Sequence, residues 1–306
     1  MSQDYNIKIS YVIPAFNASG TIREAVESIF NGNVGSGDEV VIINDCSADD
    51  TEAVILELKK EHPQIRYITN RDNLGCPATR NIGIKAAAND YIFNLDADDI
   101  LPPGSVGLLK QALIKNNADM ALFGESRYFI DDISRLTHKR IYKPGFLSLA
   151  DFLAGQLTPA GNCLYTKKSW ERIGGYWEYG KGLHEYWGFF LKQIANGSKL
   201  LVVKGTYYFH RHGGKSLFVR EFKNEESSSL MATKMIEPFL HLLSDDDAAY
   251  IRSNKGSKDW FIKLNREPIR LKSGEVGQDG QEIILESVFD KILRVAKREI
   301  KQIFEK

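Results

Sequence analysis

The sequence predicts an α/β protein with a doubly wound, mostly parallel sheet and a C-terminal helical extension. Three observations carry this. Short apolar runs alternate with helical patterns through about residue 125, and strands separated by helices of that length pair in parallel. The loop after each of the first four predicted strands is polar. Beyond about Ser216 the composition turns helical and charged.

The elements follow in order. Ile7 to Ile13 is an apolar run that ends at Pro14, the first strand. Thr21 and Glu24 have capping-box spacing, and Ile22, Ala25, Val26, Ile29 and Phe30 share one helical face that Gly32 ends. Glu39 to Ile43 and Ile65 to Ile68 read as the second and third strands, with a helix from about Asp50 to Glu61 between them. Pro77 suits the first turn of a helix that runs to about Ala88. Tyr91 to Leu95 is the fourth strand, Pro103 to Asn116 a helix and Met120 to Phe123 a fifth strand. Arg127 to Tyr142 is polar and reads as a loop or hairpin. Helices are expected at Ser148 to Gly155, Thr166 to Ile173 and Glu185 to Asn196, and short strands at Leu200 to Val203 and Thr206 to His210. A polar break from Lys272 to Gly280 precedes a last amphipathic helix carrying Leu285, Phe289, Ile292 and Ile303.

The chain has 306 residues, with 40 basic and 40 acidic side chains that cancel, so no global charge argues for nucleic acid as a partner. Cys46, Cys76 and Cys163 are too scattered for a disulfide framework or a zinc site. The N-terminus has no signal-peptide pattern and no run reaches membrane-spanning length, so a cytoplasmic protein is expected.

The chemistry concentrates at the end of the fourth strand, where Leu95 leads into Asp96-Ala97-Asp98-Asp99. Carboxylates this close repel one another and call for a cation, and all-oxygen sites suit Mg²⁺ or Mn²⁺. Ligands of open α/β sheets bind at the carboxyl ends of the strands. In a parallel sheet, the other polar loops share that edge: Pro14-Ala15-Phe16-Asn17, Asn44-Asp45-Cys46-Ser47, and Asn73-Leu74-Gly75 with Arg80 beyond it.

Together these motifs resemble glycosyltransferase family 2, whose members have a GT-A fold and mostly transfer a sugar from a nucleotide sugar with inversion. Gly174-Gly175-Tyr176-Trp177-Glu178 and Glu185-Tyr186-Trp187-Gly188 resemble the family's acceptor-side motifs. The resemblance covers about residues 5 to 216. It implies a catalytic domain at 1–216, with a nucleotide-sugar half at 1–100 and an acceptor half at 101–216, followed by the extension at 217–306. It implies that Pro14, Ala15, Phe16, Asn17, Asp45, Asn73, Arg80, Asp96, Ala97 and Asp98 bind the donor. Asp45 would pair with the base and Arg80 would lie near the diphosphate or sugar. Asp98, Asp96 and His212 would hold the metal, with Asp98 the direct ligand, while Arg211 or Lys215 would meet the diphosphate.

Two departures matter. The second strand ends Asn44-Asp45 where the family has two aspartates. The acceptor-side pair reads Glu185-Tyr186 where the family has Glu-Asp, the aspartate serving as base. Glu185 is then the expected base, its pKa raised by burial among aromatic neighbours, with Glu178 a second candidate.

The expectation is a metal-dependent inverting glycosyltransferase of the hexosyl or N-acetylhexosaminyl class. Its donor would be a nucleotide sugar, UDP-linked by resemblance. Its acceptor would be a glycan or lipid-linked glycan of a bacterial surface polysaccharide. The last helix carries Lys291, Arg294, Lys297, Arg298 and Lys301, which suit peripheral contact with the inner face of the cell membrane or homodimer packing. A sugar-1-phosphate nucleotidyltransferase would need a Gly-rich basic loop after the first strand, which Pro14-Ala15-Phe16-Asn17 is not. A nicotinamide dehydrogenase would need a G-x-G-x-x-G turn. A glycan-binding or scaffold subunit that lost its base is the non-enzymatic alternative that Tyr186 leaves open.

Overall fold

The computed structural model describes residues 7–153, 161–179, 184–212 and 225–254, the last span in side-chain detail from residue 230. The chain divides into two compact units, one of Met1–Phe146 with Pro159–His212 and the other of Leu147–Thr158 with Gly213–Lys306. Lys215, the polar break at 272–280 and the amphipathic helix from Leu285 lie outside the described residues.

The first unit begins as the alternation predicts: β1 (Ile9–Ala15), α1 (Ile22–Phe30), β2 (Glu39–Asn44), α2 (Thr51–Glu61), β3 (Ile65–Thr69), α3 (Cys76–Ala86), β4 (Tyr91–Asn94), α4 (Ser105–Lys115) and β5 (Met120–Phe129). A hairpin strand β6 (His138–Ile141) and a short β7 (Gly145–Leu147) follow, then α5 (Leu149–Leu153) in the second unit, β8 (Cys163–Thr166), α6 (Lys167–Arg172), α7 (Glu185–Ala195) and β9 (Leu200–Arg211). The strands form one sheet in the order β3-β2-β1-β4-β8-β5-β9-β7, with β6 paired to β5.

β1 pairs in parallel with β2 and β4, and β2 with β3, so Ala15, Asn44, Thr69 and Asn94 end their strands along one edge. The polar loops therefore gather where ligands of such sheets bind. Along α1, Ile22, Ala25, Val26 and Ile29 recur at helical spacing and are fully buried; with Val106 and Leu109 of α4 they belong to one core with Ile9, Tyr11 and Ile13 of β1. Each such aliphatic side chain contributes roughly 1.5–3 kcal/mol on leaving water.

The structure departs from the sequence reading in three places. β8, unforeseen, lies antiparallel between β4 and β5, and only then does α6 begin. The two predicted strands at 200–210 are one strand, β9, interrupted by Gly205 at φ +79° and by a register shift opposite Phe123/Glu125. The capping box of α1 does not form: Thr21 makes no cap hydrogen bond, and Glu24 pairs with Arg211 of β9 instead.

The second unit holds α5, α8 (Glu225–Ile236), a 3₁₀ turn (Glu237–Leu242) and α9 (Asp245–Ser253), whose N-cap Ser244 accepts from the Asp247 amide at 3.2 Å. No helix among the described residues is long and apolar enough to cross a membrane.

α3 carries the residues that matter most for the site, and a glycine seats it on the sheet. A Cβ at Gly83 would stand 2.4 Å from Ile43 Cδ1 and 2.6 Å from Val12 Cγ1. Gly83→Ala is expected to destabilise the protein by about 1–3 kcal/mol through overpacking, read from the denaturant midpoint. An unchanged midpoint would mean that α3 does not sit this close to β1 and β2.

Candidate active site

The site is built around Arg80, one turn into α3 and only 1% exposed. Its Nη1 donates to Glu185 at the start of α7, and its Nη2 contacts both Asp96 Oδ1, just past β4, and the Tyr186 hydroxyl. Tyr186 in turn donates to Asp96 Oδ1 at 2.6 Å, and its ring centroid lies 4.5 Å from the guanidinium carbon. Residues 105 positions apart are thus joined by one buried cation. Burying a guanidinium is costly unless its hydrogen bonds are met, and two carboxylates and a phenol meet most of them here. Arg80 Nε has no hydrogen-bond partner among the described residues.

The sequence reading puts Arg80 near the diphosphate or sugar, and the structure adds its protein partners. Its guanidinium is spent on Glu185 and Asp96, so it positions carboxylates. Glu185 Oε2 is buried and, among the described residues, has only the Cys76 thiol as a neighbouring donor to its carboxylate beyond Arg80. Burial raises the Glu185 pKa, the Arg80 charge opposes this, and the result stays above the ordinary carboxylate range.

The three carboxylates after β4 have different surroundings. Asp99 is fully buried and saturated: Oδ1 accepts from the Arg211 amide at 2.9 Å, and Oδ2 from Asn162 Nδ2 at 2.7 Å and His210 Nδ1 at 3.0 Å. Ile100 and Phe209 exchange backbone hydrogen bonds at 3.0 and 2.9 Å, tying the acidic loop to β9. Burial alone would lower the His210 pKa, but the charge and hydrogen bond of Asp99 reverse this and lift it to about 10. Asp98 is half-buried. Burial, then the charges of Asp99 and Asp96, push its pKa up to about 7, the mark of carboxylates packed without enough positive charge.

His212, expected in the metal shell, is engaged elsewhere. Its Nε2 hydrogen-bonds Thr137 Oγ1 at 2.7 Å, and its ring packs edge-on against Tyr128 and His138. The histidine that reaches the acidic cluster is His210, two residues earlier on the same face of β9. Among the described residues, His, Cys, Asp or Glu side chains bring three ligand atoms within 4.8 Å of one another only at Glu27, Glu61 and His62, where Arg23 already bridges both glutamates. The carboxylates of Asp96 and Asp98 are nevertheless a hard, all-oxygen donor set short of positive charge, which fits Mg²⁺ or Mn²⁺. Arg211 is also spoken for, by the Asp98 carbonyl at 3.0 Å, the Ile130 carbonyl at 3.0 Å and Glu24.

In the loop after β2, Asp45 is buried and its carboxylate accepts from Asn70 Nδ2 at 2.8 Å, the Leu74 amide at 2.9 Å and the Gly75 amide at 2.9 Å. It shapes the loop that carries Asn73, whose side chain is half-buried. The carboxylate expected to pair with the base is held in place by these three protein donors. Asn44 plays a parallel part, its Oδ1 accepting from the Ser47 amide at 3.0 Å. Pro14 and Ala15 are buried in β1, Asn17 braces the second loop by accepting from the Ala48 amide at 2.8 Å, and Phe16 stands 42% exposed at the edge. Ala97 is buried. Asn17, Cys46 and His184 all hold positive φ without being glycine, at the ends of β1 and β2 and just before Glu185. Such backbone is uncommon and collects at ligand sites.

On α3, next to Arg80, Asn81 pins the Gly174–Glu178 segment. Its Oδ1 accepts from Trp170 Nε1 at 3.1 Å and the Tyr176 amide at 2.9 Å, and its Nδ2 donates to the Tyr176 carbonyl and to Glu178, each at 2.9 Å. Glu178 is thereby held away from the Arg80 cluster's contacts. Tyr176 and Trp170 are core residues, while Trp177 and Tyr179 stack with centroids 6.0 Å apart. Sequence reasoning missed Asn162 and Gly161, which supply the Asp96 amide's acceptor at 2.9 Å and close approach to its carboxylate.

Known proteins can now be set beside this geometry. The family model described as Glycosyl transferase family 2 matches residues 10–186. The poly(ribitol-phosphate) beta-N-acetylglucosaminyltransferase TarP of Staphylococcus aureus is 29% identical over 148 residues, 48% of this chain and 44% of that protein. A poly-beta-1,6-N-acetyl-D-glucosamine synthase of Staphylococcus epidermidis is 28% identical over 176 residues, 56% of this chain and 42% of that protein. The match thus spans less than half the length of either relative. Among solved structures, S. aureus TarS 1-349 in complex with UDP-GlcNAc superimposes with a TM-score of 0.61 at 18% identity, over 75% of this chain and 66% of that one. A mannosyltransferase of Pyrobaculum calidifontis in complex with GDP-Man and Mn²⁺ gives 0.59 at 13% identity, over 87% and 72%. The structural likeness establishes the shared fold, and the match over more than half the chain establishes the family: this protein is a member of glycosyltransferase family 2.

Proposed function

We propose that this glycosyltransferase transfers a sugar, with inversion, from a UDP-linked donor to a glycan or lipid-linked glycan acceptor of a bacterial surface polymer, and that Glu185 is its base. The observation that carries the reading is the Arg80 cluster. It sets one carboxylate, Glu185, with an oxygen to spare beside a second, Asp96, which leads the acidic loop at the ligand edge of the sheet. The donors named in the UDP-GlcNAc complex and the acceptor polymers named for the relatives support the substrate class. A sugar-transferring site needs positive charge for the departing diphosphate and a base for the attacking hydroxyl.

Asp98 and the second oxygen of Asp96 would hold a divalent cation, Mn²⁺ or Mg²⁺. When bound, the cation supplies the positive charge that stabilises the leaving diphosphate. The protein's own residues do the rest. Asp45 and Asn17 brace the two loops that frame the nucleotide. Arg80 holds Glu185 through Oε1 and leaves Oε2 to accept the proton of the acceptor hydroxyl as it attacks the anomeric carbon. The stacked Trp177 and Tyr179 offer flat apolar faces to a sugar ring. Membrane contact or self-association would fall to the C-terminal part of the chain.

Incubation with a panel of nucleotide sugars and Mn²⁺ is expected to show slow hydrolysis of a UDP-linked donor, and Asp98→Ala to remove Mn²⁺-dependent donor binding. Hydrolysis and binding absent across the panel would favour a scaffold subunit, and donor binding intact in Asp98→Ala would remove that residue as cation ligand. Glu185→Gln is expected to lower transfer by roughly 10²–10⁴-fold while leaving donor affinity in place. Because Glu185 must be ionised to act and its pKa is raised, wild-type transfer should rise with pH and reach half its maximum above the ordinary value of 4.5. A glutamine variant as active as the wild type would remove Glu185 as the base.

A further inference from the structure

The mechanism leaves Tyr186 unused, although it is the residue most tightly knitted to Asp96. Its hydroxyl receives a hydrogen bond from Arg80 Nη2 and passes one on to Asp96 Oδ1 at 2.6 Å, so two donors converge on a single carboxylate oxygen. The ring is clamped as well, with the Arg80 guanidinium 4.5 Å from its centroid. Gly161 closes the far side: at φ +94°, a Cβ there would lie 3.2 Å from Asp96 Oδ2 and 3.4 Å from Tyr186 Cε2. The Asp96 amide is held by Asn162 Oδ1 at 2.9 Å. Asp96 is therefore fixed by its backbone and through Oδ1, while Oδ2 receives no hydrogen bond among the described residues.

Hydrogen bonds donated to a carboxylate draw off the charge with which it would otherwise bind a cation. As a neutral phenol can, the Tyr186 hydroxyl accepts from Arg80 and donates its own proton to Asp96.

We propose that Tyr186 is a positioning residue for Asp96: its hydroxyl, with Arg80, occupies Oδ1, turns the carboxylate so that Oδ2 alone is offered beside Asp98, and so weakens and orients the hold on a divalent cation. Tyr186 takes no proton from the acceptor. This rests on reading Asp96 and Asp98 as the cation's ligands, and it assigns to this chain's own tyrosine the setting of cation affinity.

The test is a Mn²⁺ titration followed by electron paramagnetic resonance, with UDP present, on wild type and Tyr186→Phe. The phenylalanine keeps the ring and removes one charge-assisted hydrogen bond, so Mn²⁺ should bind tighter by on the order of tenfold. The acid limb of the transfer-rate pH profile should stay where it is in the wild type, because Glu185 keeps its Arg80 partner. Should the phenylalanine variant fail to fold, the wild type still reports: adding Mn²⁺ and UDP should perturb tyrosine ultraviolet absorption through Asp96, a signal absent with metal-free UDP alone. Equal or weaker Mn²⁺ binding in Tyr186→Phe, a displaced acid limb, or an unperturbed tyrosine spectrum on Mn²⁺ binding would each overturn the proposal. A wild type that binds no Mn²⁺ with UDP would instead sink the cation reading of Asp96 and Asp98 on which it rests.

Discussion

A single buried guanidinium, that of Arg80, ties together the three elements from which the site is made. α3 brings the cation, the end of β4 brings Asp96, and the start of α7 brings Glu185. None of these charges would be tolerated alone in such a place: an unpaired buried ion costs several kcal/mol, and removing one partner of a buried pair typically costs about 3–5 kcal/mol. The pairing therefore constrains the fold as much as the chemistry. α3 must lie close on the sheet for Arg80 to reach, and Gly83, pressed against Ile43 and Val12, is what lets it.

The same economy of charge sorts the acidic loop. Asp99 takes the donors of Asn162, His210 and the Arg211 backbone and becomes a structural pin between β4 and β9. Asp96 is half-neutralised by Arg80 and Tyr186. Asp98 is left with its neighbours' negative charge, which adds to burial in raising its pKa. Three aspartates within four positions thus hold three different environments, and Asp98 is the one with least compensation.

The parallel half of the fold was legible because β1 to β4 alternate with helices whose apolar positions recur at helical spacing, and their burial follows that spacing. β8 was not. Cys163-Leu164-Tyr165-Thr166 is four residues long and runs straight into α6, and its strand state comes from β4 and β5 on either side. In the site, the residue types were legible and their partners were not. Asp96, Asp98, Arg80 and Glu185 stand out as chemistry-bearing residues, yet nothing local tells that Arg80 faces Glu185 across 105 positions or that Asp45 is consumed by the Leu74 and Gly75 amides. His210 and His212 share a face of β9 and differ in sequence context by nothing that would say which one reaches Asp99. The Thr21–Glu24 spacing failed for a related reason, since Arg211 from the far end of the unit outcompeted the local cap.

The most direct measurement is the unfolding free energy of Arg80→Met by chemical denaturation. Methionine approximates the length of the buried stem and lacks the charge, so Glu185 and Asp96 would lose their shared partner. A loss of about 3–5 kcal/mol is expected. Stability within about 0.5 kcal/mol of the wild type, as for a solvated residue on a helix surface, would contradict the central place given to this ion pair.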